Sequence, residues 1–380
     1  MSKTLMRPSR RAVVKSGLML VGATLAAPMY IRRALASSGE LNWFTWEDYA
    51  PQALVDKFQR DTGIRLNVTT FSSNEDQLNK LLASGGVGWD VASPSVGWVA
   101  AHVEVGNLQP VDYGRLRNMS NVPSSFLDAV ATLEANPGGV DYCLPYSWGT
   151  EAMAFDANEV DTEYGRLSFG DLWAPEYTGR MIARQRSLML GTGLWMERIG
   201  ELPEGTMRRA YANEADFDLG YGRAAAHIIA NKAQIVNWWR GTADTQSGFM
   251  QDGAVIGMTW DGPIMQMRDQ GMTNMMYVAP VEGALQWMDT ISLTRGAANI
   301  EQAYAFMDWA LDPENGGLTA SETGYNSVVN GFEQFVSESF RENFALAYPG
   351  DALERLWLQG TERPWFLERR QALVDRISAA

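Results

Sequence analysis

Apolar positions after residue 40 fall into short strand-like runs and longer helical faces. Residues 41–44 form a compact apolar run and predict a strand. Pro51 opens a helix through about residue 61, with Leu54, Val55 and Phe58 on one face and Gly63 as its stop. Ile64, Leu66 and Val68 alternate with polar residues, the two-residue period of a strand. Ser73 reads as the cap of a second helix that reaches Leu82 and ends at Gly85-Gly86, and residues 91–94 follow as a third strand. This β-α-β-α-β order predicts an α/β sheet with helical crossovers. In such sheets ligands sit at the carboxyl ends of strands, where Trp46–Tyr49 and Pro94-Ser95 fall.

Further along, residues 158–240 read as mostly helical, broken by acids and glycines. Residues 254–260 and 277–280 read as strands. Residues 300–311 form an amphipathic helix, capped by Asn299 and ended before Pro313. Helix is also expected over 332–347, 351–359 and 364–378. Neither an internal repeat nor a low-complexity linker marks a single boundary, as expected of two lobes joined by more than one crossover.

Composition narrows the function. The 380 residues suffice for two domains with real cores, and 46% hydrophobic with 20% charged residues is ordinary for a globular protein. Residues 1–36 hold seven cations and no acid, so the remainder carries −21 against −14 overall. A body this acidic disfavours nucleic acid and anionic membrane surfaces as partners. Cys143 is the one cysteine, and His102 and His227 are the only histidines, too few for a zinc site or a general-base constellation. There is no G-x-S-x-G elbow and no P-loop, and Gly220-x-Gly222 follows a helical stretch, not a strand. A binding protein with no cofactor and no metal is expected, not an enzyme.

The N-terminus reads as an address. Ser9-Arg10-Arg11-Ala12-Val13-Val14-Lys15 fits the twin-arginine export pattern, a broken apolar stretch follows over 18–31, and Ala34-Leu35-Ala36 is a small-x-small cleavage site. Residues 1–36 are therefore expected to be a signal peptide, with a periplasmic, monomeric mature protein.

Three tryptophan–acid segments point at a ligand: Trp46-Glu47-Asp48-Tyr49, Trp260-Asp261-Gly262 and Trp287-Met288-Asp289. Indole faces attract organic cations by roughly 0.5–2 kcal/mol per contact, and a carboxylate adds charge pairing and a hydrogen bond. Brought together, these segments would make a box for an amine.

Along with Thr62-Gly63-Ile64, Ser73-Asn74-Glu75, Trp89-Asp90-Val91, Leu144-Pro145-Tyr146-Ser147-Trp148-Gly149, Pro175-Glu176-Tyr177-Thr178-Gly179 and Thr323-Gly324-Tyr325, these motifs resemble in order and spacing the periplasmic substrate-binding proteins of ABC transporters. The resemblance is to the spermidine/putrescine-binding branch of the type II class. It implies an α/β, two-lobed type II periplasmic-binding-protein fold with a hinge and an inter-lobe ligand cleft. Residues 37–147 and 284–330 would form the first lobe, 148–283 and 331–380 the second, with hinges near 145–151 and 279–289. The closed protein would deliver its solute to a membrane permease.

In the polyamine binders, Trp46 matches an aromatic wall, Asp48 a ligand-facing acid, Tyr49 an aromatic contact and Ser95 a polar contact. Trp260 and Trp287 match tryptophans that sandwich a methylene chain, Asp289 the acid that grips an amino group, and Tyr325 a further aromatic contact. Glu47 competes with Asp48 as the ligand acid, Asp48 competes as a helix cap, and Asp261 reads as a helix-entry residue. One stretch departs from the family. Where polyamine binders carry a distal acidic cluster, this chain has Arg184-Gln185-Arg186. Either these arginines sit in solvent or on lobe acids, or they make an anion end. The second case would suit an ω-amino acid such as 4-aminobutyrate in place of a polyamine. A strict putrescine or spermidine binder, a ferric-ion binder of the same fold and a sensor lobe are the alternatives.

Overall fold

A computed structural model describes residues 39–380. The twin-arginine segment and its cleavage site lie outside the described residues. The strands are β1 (Glu40–Trp46), β2 (Arg65–Phe71), β3 (Val91–Ala92), β4 (Leu108–Gln109), β5 (Leu144–Asp156), β6 (Met181–Ala183), β7 (Ile235–Trp238), β8 (Ile256–Trp260), β9 (Met275–Val278), β10 (Leu285–Thr294), β11 (Asn326–Ser327) and β12 (Trp357–Leu358). They join in one mixed sheet of order β2-β1-β3-β10-β5-β8-β6-β7, with β4 and β12 on β10 and β9 and β11 on β5. β1 runs parallel to both β2 and β3, and β6 parallel to β7 and β8.

The first crossovers form as their sequences dictate. The helix Gln52–Thr62 buries Leu54 and Phe58 and stops at Gly63, whose φ of 72° only glycine adopts freely. Ser73 accepts a hydrogen bond from the Asp76 amide and starts the helix Asn74–Ser84. Asn299 holds the cap position of Ile300–Ala310 with no side-chain cap bond, and its side-chain amide donates to Asp90.

Two large cores lie on either side of the sheet's middle. One gathers Trp43, Phe58, Val91, Ile291 and Phe306, the other Phe169, Met181, Phe217, Met258 and Phe366. β5 and β10 run antiparallel between them: β5 gives Leu144 to the first core and Met153 to the second, β10 gives Leu285 to the second and Ile291 to the first. The 13-residue β5 was legible only as motif and hinge, since buried on nearly its whole length it shows no alternation.

Three expectations fail. Residues 158–240 contain the helices Gln185–Arg198, Thr206–Arg209 and Glu214–Ala230, but also β6 and β7, which at three and four residues are too short to show a period. Residues 351–359 are not helical. Gly350 turns the chain at φ 60°, turns follow, and β12 then pairs parallel with β10, so tertiary pairing overrides local helix preference. Within 332–347 only Glu338–Ala347 is α-helical, capped by Ser337. Pro313, read only as a stop, is also the first residue of a further helix, Pro313–Thr323, capped by Asp312.

Candidate ligand-binding cleft

Trp46 ends β1, and Glu47, Asp48 and Tyr49 continue it into the first crossover. Ser95 precedes the helix Val96–Glu104, Arg184 and Arg186 follow β6, Trp260 ends β8, and Trp287 and Asp289 lie on β10. All of these, with Tyr325, line one cleft that opens to solvent.

Asp289 is the carboxylate on its floor, 4% exposed. The β10–β5 register shifts between Asp289 and Thr290, opposite Pro145, and this bulge turns the side chain toward Ser95. Tyr49 donates its hydroxyl to Oδ2 at 2.5 Å and Ser95 donates to Oδ1 at 2.6 Å. Asn74 holds Ser95 in turn, donating to its Oγ at 2.9 Å and accepting from its amide at 3.0 Å. Burial pushes the Asp289 carboxyl up to about 6, against the opposing pull of those two hydrogen bonds and of the Arg184 charge. Among the described residues no Lys or Arg forms an ion pair with it.

Two glycines seat the aromatic walls. A Cβ on Gly149 would stand 2.4 Å from Trp287 Cζ2, and one on Gly262 would stand 2.4 Å from Tyr325 Cε1. Trp287 meets Tyr325 edge to face at 5.2 Å, and Tyr325 leans on Tyr49 at 5.9 Å.

Asp48 does not cap the first helix, where Pro51 holds the cap position without a side-chain bond. It accepts instead from the Thr242 hydroxyl, across the cleft, and burial raises its pKa. Glu47 is exposed at the rim. Asp261 is the first residue of the helix Asp261–Asp269 and is fully buried. It accepts from the Gly262 amide at 3.0 Å, the Thr150 amide at 3.3 Å and the Tyr348 hydroxyl at 2.8 Å, and burial lifts it to about 7.

Both arginines face the cleft, and both are paired. Arg184 makes an ion pair with Glu151, which is 1% exposed. Its guanidinium lies 4.9 Å from the Trp260 ring and 5.0 Å from the Trp239 ring. Trp260 donates its indole N–H to the same Glu151 oxygen at 3.0 Å. Arg186 donates to both Glu75 oxygens, at 3.0 and 3.1 Å. Arg370, paired with Glu362, approaches Glu75 at 3.5 Å. Burial would raise Glu75, but Arg186 and Arg370 outweigh it and its pKa falls, while burial lowers Arg186 to about 10 against the pull of Glu75. Sequence reasoning assigned no ligand-site role to Glu151, Trp239, Arg370 or Glu362; Glu151 meets Arg184 across 33 residues, and no motif marked the Arg370–Glu362 pair. Asn74 and Glu75 stood only in a family motif.

Among the described residues no helix is long and apolar enough to cross a membrane, and no group of three or more His, Cys, Asp or Glu side chains is placed to hold a metal ion. The floor of the cleft is thus an acid set among aromatic rings, with each nearby arginine already matched by a carboxylate.

Residues 53–347 match the family model for bacterial extracellular solute-binding proteins. The spermidine/putrescine-binding periplasmic protein of Escherichia coli is 28% identical over 312 residues, covering 81% of this chain and 82% of its own. The putrescine/agmatine-binding protein of Pseudomonas aeruginosa is 25% identical over 349 residues, covering 91% and 92%. The solved spermidine/putrescine substrate-binding protein of Streptococcus pneumoniae superposes with a TM-score of 0.69 at 23% identity, over 90% of this chain and 98% of that one. The chain belongs to the bacterial extracellular solute-binding proteins, is similar to the spermidine/putrescine-binding periplasmic proteins and shares their two-lobed fold, and is a binding protein and not an enzyme.

Proposed function

We propose that this protein captures a small amine-bearing solute in the periplasm and hands it to the permease of an ABC importer. The observation that carries this reading is Asp289, a buried carboxylate held by Tyr49 and Ser95 and lacking an ion-pair partner among the described residues. An alkylammonium supplies the charge and hydrogen bonds that such a group lacks. Trp46, Trp287 and Tyr325 offer faces to its methylenes, and Asp48 adds a second acid at the opening. The relatives' names, which speak of putrescine, spermidine and agmatine, support the same class. Residues 37–147 with 284–330, and 148–283 with 331–380, would be the lobes that close on the ligand, hinged on β5 and β10. The mature protein would act as a monomer after twin-arginine export.

A second reading concerns the far end of the ligand. Arg184 Nε and the indole nitrogens of Trp46 and Trp287 are buried donors without a hydrogen-bond partner among the described residues. A ligand carboxylate would satisfy such donors, which favours an amine–carboxylate compound such as 4-aminobutyrate. Calorimetry with putrescine, agmatine, spermidine and 4-aminobutyrate tests both readings. At least one should bind at micromolar affinity or better, and Asp289→Asn should weaken it at least thirtyfold. If none binds, or if the substitution changes nothing, the amine reading is wrong.

A further inference from the structure

We propose that Arg184 is a tethered cation filling a second amine box, with Glu151 as its counter-ion, so that the cleft accepts a ligand with one cationic end. The proposal rests on the reading of Asp289 as the amine site. The box is complete without any solute. Glu151 is 1% exposed and ion-paired to Arg184. Trp260 orients it with an indole N–H at 3.0 Å. Trp239 and Trp260 stand edge to face at 4.8 Å, and Trp239 is pinned by its own N–H to the Met258 carbonyl at 2.8 Å. Two rings and an oriented carboxylate are the features that hold an alkylammonium or a guanidinium. Here the guanidinium comes from the chain itself, about 5 Å from both ring centres.

The other oxygen of Glu151 is buried and has no hydrogen-bond partner among the described residues. The acid therefore keeps unused capacity for a donor. Arg184 reaches the box from the residue before the helix Gln185–Arg198, in extended conformation, so its place is set by backbone and not by a mobile loop tip. A second ammonium on a ligand would meet the fixed positive charge of Arg184, close enough to influence Asp289. Without Arg184, the same carboxylate and rings would be open to that ammonium.

The test uses two probes on the full mature chain. Methylguanidinium examines the box directly through tryptophan fluorescence. Arg184→Ala should show a saturable response at millimolar concentrations that is absent in wild type and in Arg184→Ala/Glu151→Gln. Putrescine and butylamine, compared by calorimetry, examine selectivity: the putrescine-to-butylamine affinity ratio should rise at least tenfold in Arg184→Ala and return in the double variant. Arg184→Met keeps the side-chain stem over the rings and should behave likewise if the alanine variant folds poorly. A ratio within threefold of wild type in both single variants, no methylguanidinium response, or an undiminished response without Glu151 would overturn the proposal. Because the methylguanidinium response needs no contact with Asp289, an Asp289→Asn variant that binds amines normally would sink the amine reading by a separate result.

Discussion

At the scale of the residue, the proposed amine site turns on the environment of Asp289. Its carboxyl is lifted by burial to about 6, so the ionised form that an ammonium needs is costly in the empty cleft. Amine affinity should hold above about pH 6 and fall below it, approaching tenfold per pH unit. Stability of the empty protein has the opposite sign. With the folded value above the unfolded one, the native state binds more protons between about pH 4 and pH 6, and the contribution of Asp289 falls as pH rises through that window. Calorimetry from pH 5 to pH 8 should show the affinity loss in wild type. Asp289→Asn should bind about 2–5 kcal/mol more weakly with a flat profile. A variant that keeps the wild-type pH profile would point to another acid. The family motif marked Asp289, Tyr49 and Ser95 from the sequence, but their hydrogen bonds span 240 and 194 residues and no local pattern encodes them.

At the scale of the element, β5 and β10 carry the site because they cross between the two cores. Their contact demands a glycine at one place. A Cβ at Gly149 would fall 2.4 Å from Trp287 and 2.7 Å from an Asp261 oxygen. The φ of Gly149 is not in the left-handed region, so the constraint is crowding and not backbone strain. Gly149→Ala should cost about 1–3 kcal/mol in a urea melt and weaken amine binding together with it. Unchanged binding would remove Trp287 from the ligand wall. Where caps and glycine stops punctuate the chain, as at Ser73, Gly63 and Gly85, elements were legible. The short strands β6, β7 and β12 and the almost wholly buried β5 were illegible, since period and length are lost there.

At the scale of the whole molecule, Glu75, on the helix Asn74–Ser84, ties its side of the cleft to Arg186 and Arg370. Both arginines would be left facing each other if its charge were removed. The Arg186 and Glu75 side chains are 20% and 33% exposed, so water screens the pair in part. Glu75→Gln should cost roughly 1–2 kcal/mol of closure, read as about tenfold weaker ligand binding and a larger radius of gyration in solution scattering. Unaltered scattering and affinity would reduce the contact to a surface pair. The order of the first five elements, the acidic body, the tryptophan–acid motifs and the family resemblance were determined by the sequence, because caps, periods and motifs are local. Charge balance in the cleft was decided only by the tertiary structure. Arg184 meets Glu151 across 33 residues and Arg186 meets Glu75 across 111. The sequence showed two arginines where acids were expected. Only folding revealed that each brings a carboxylate with it, because a charge is neutralised by what lies beside it in space and not by what precedes it in the chain.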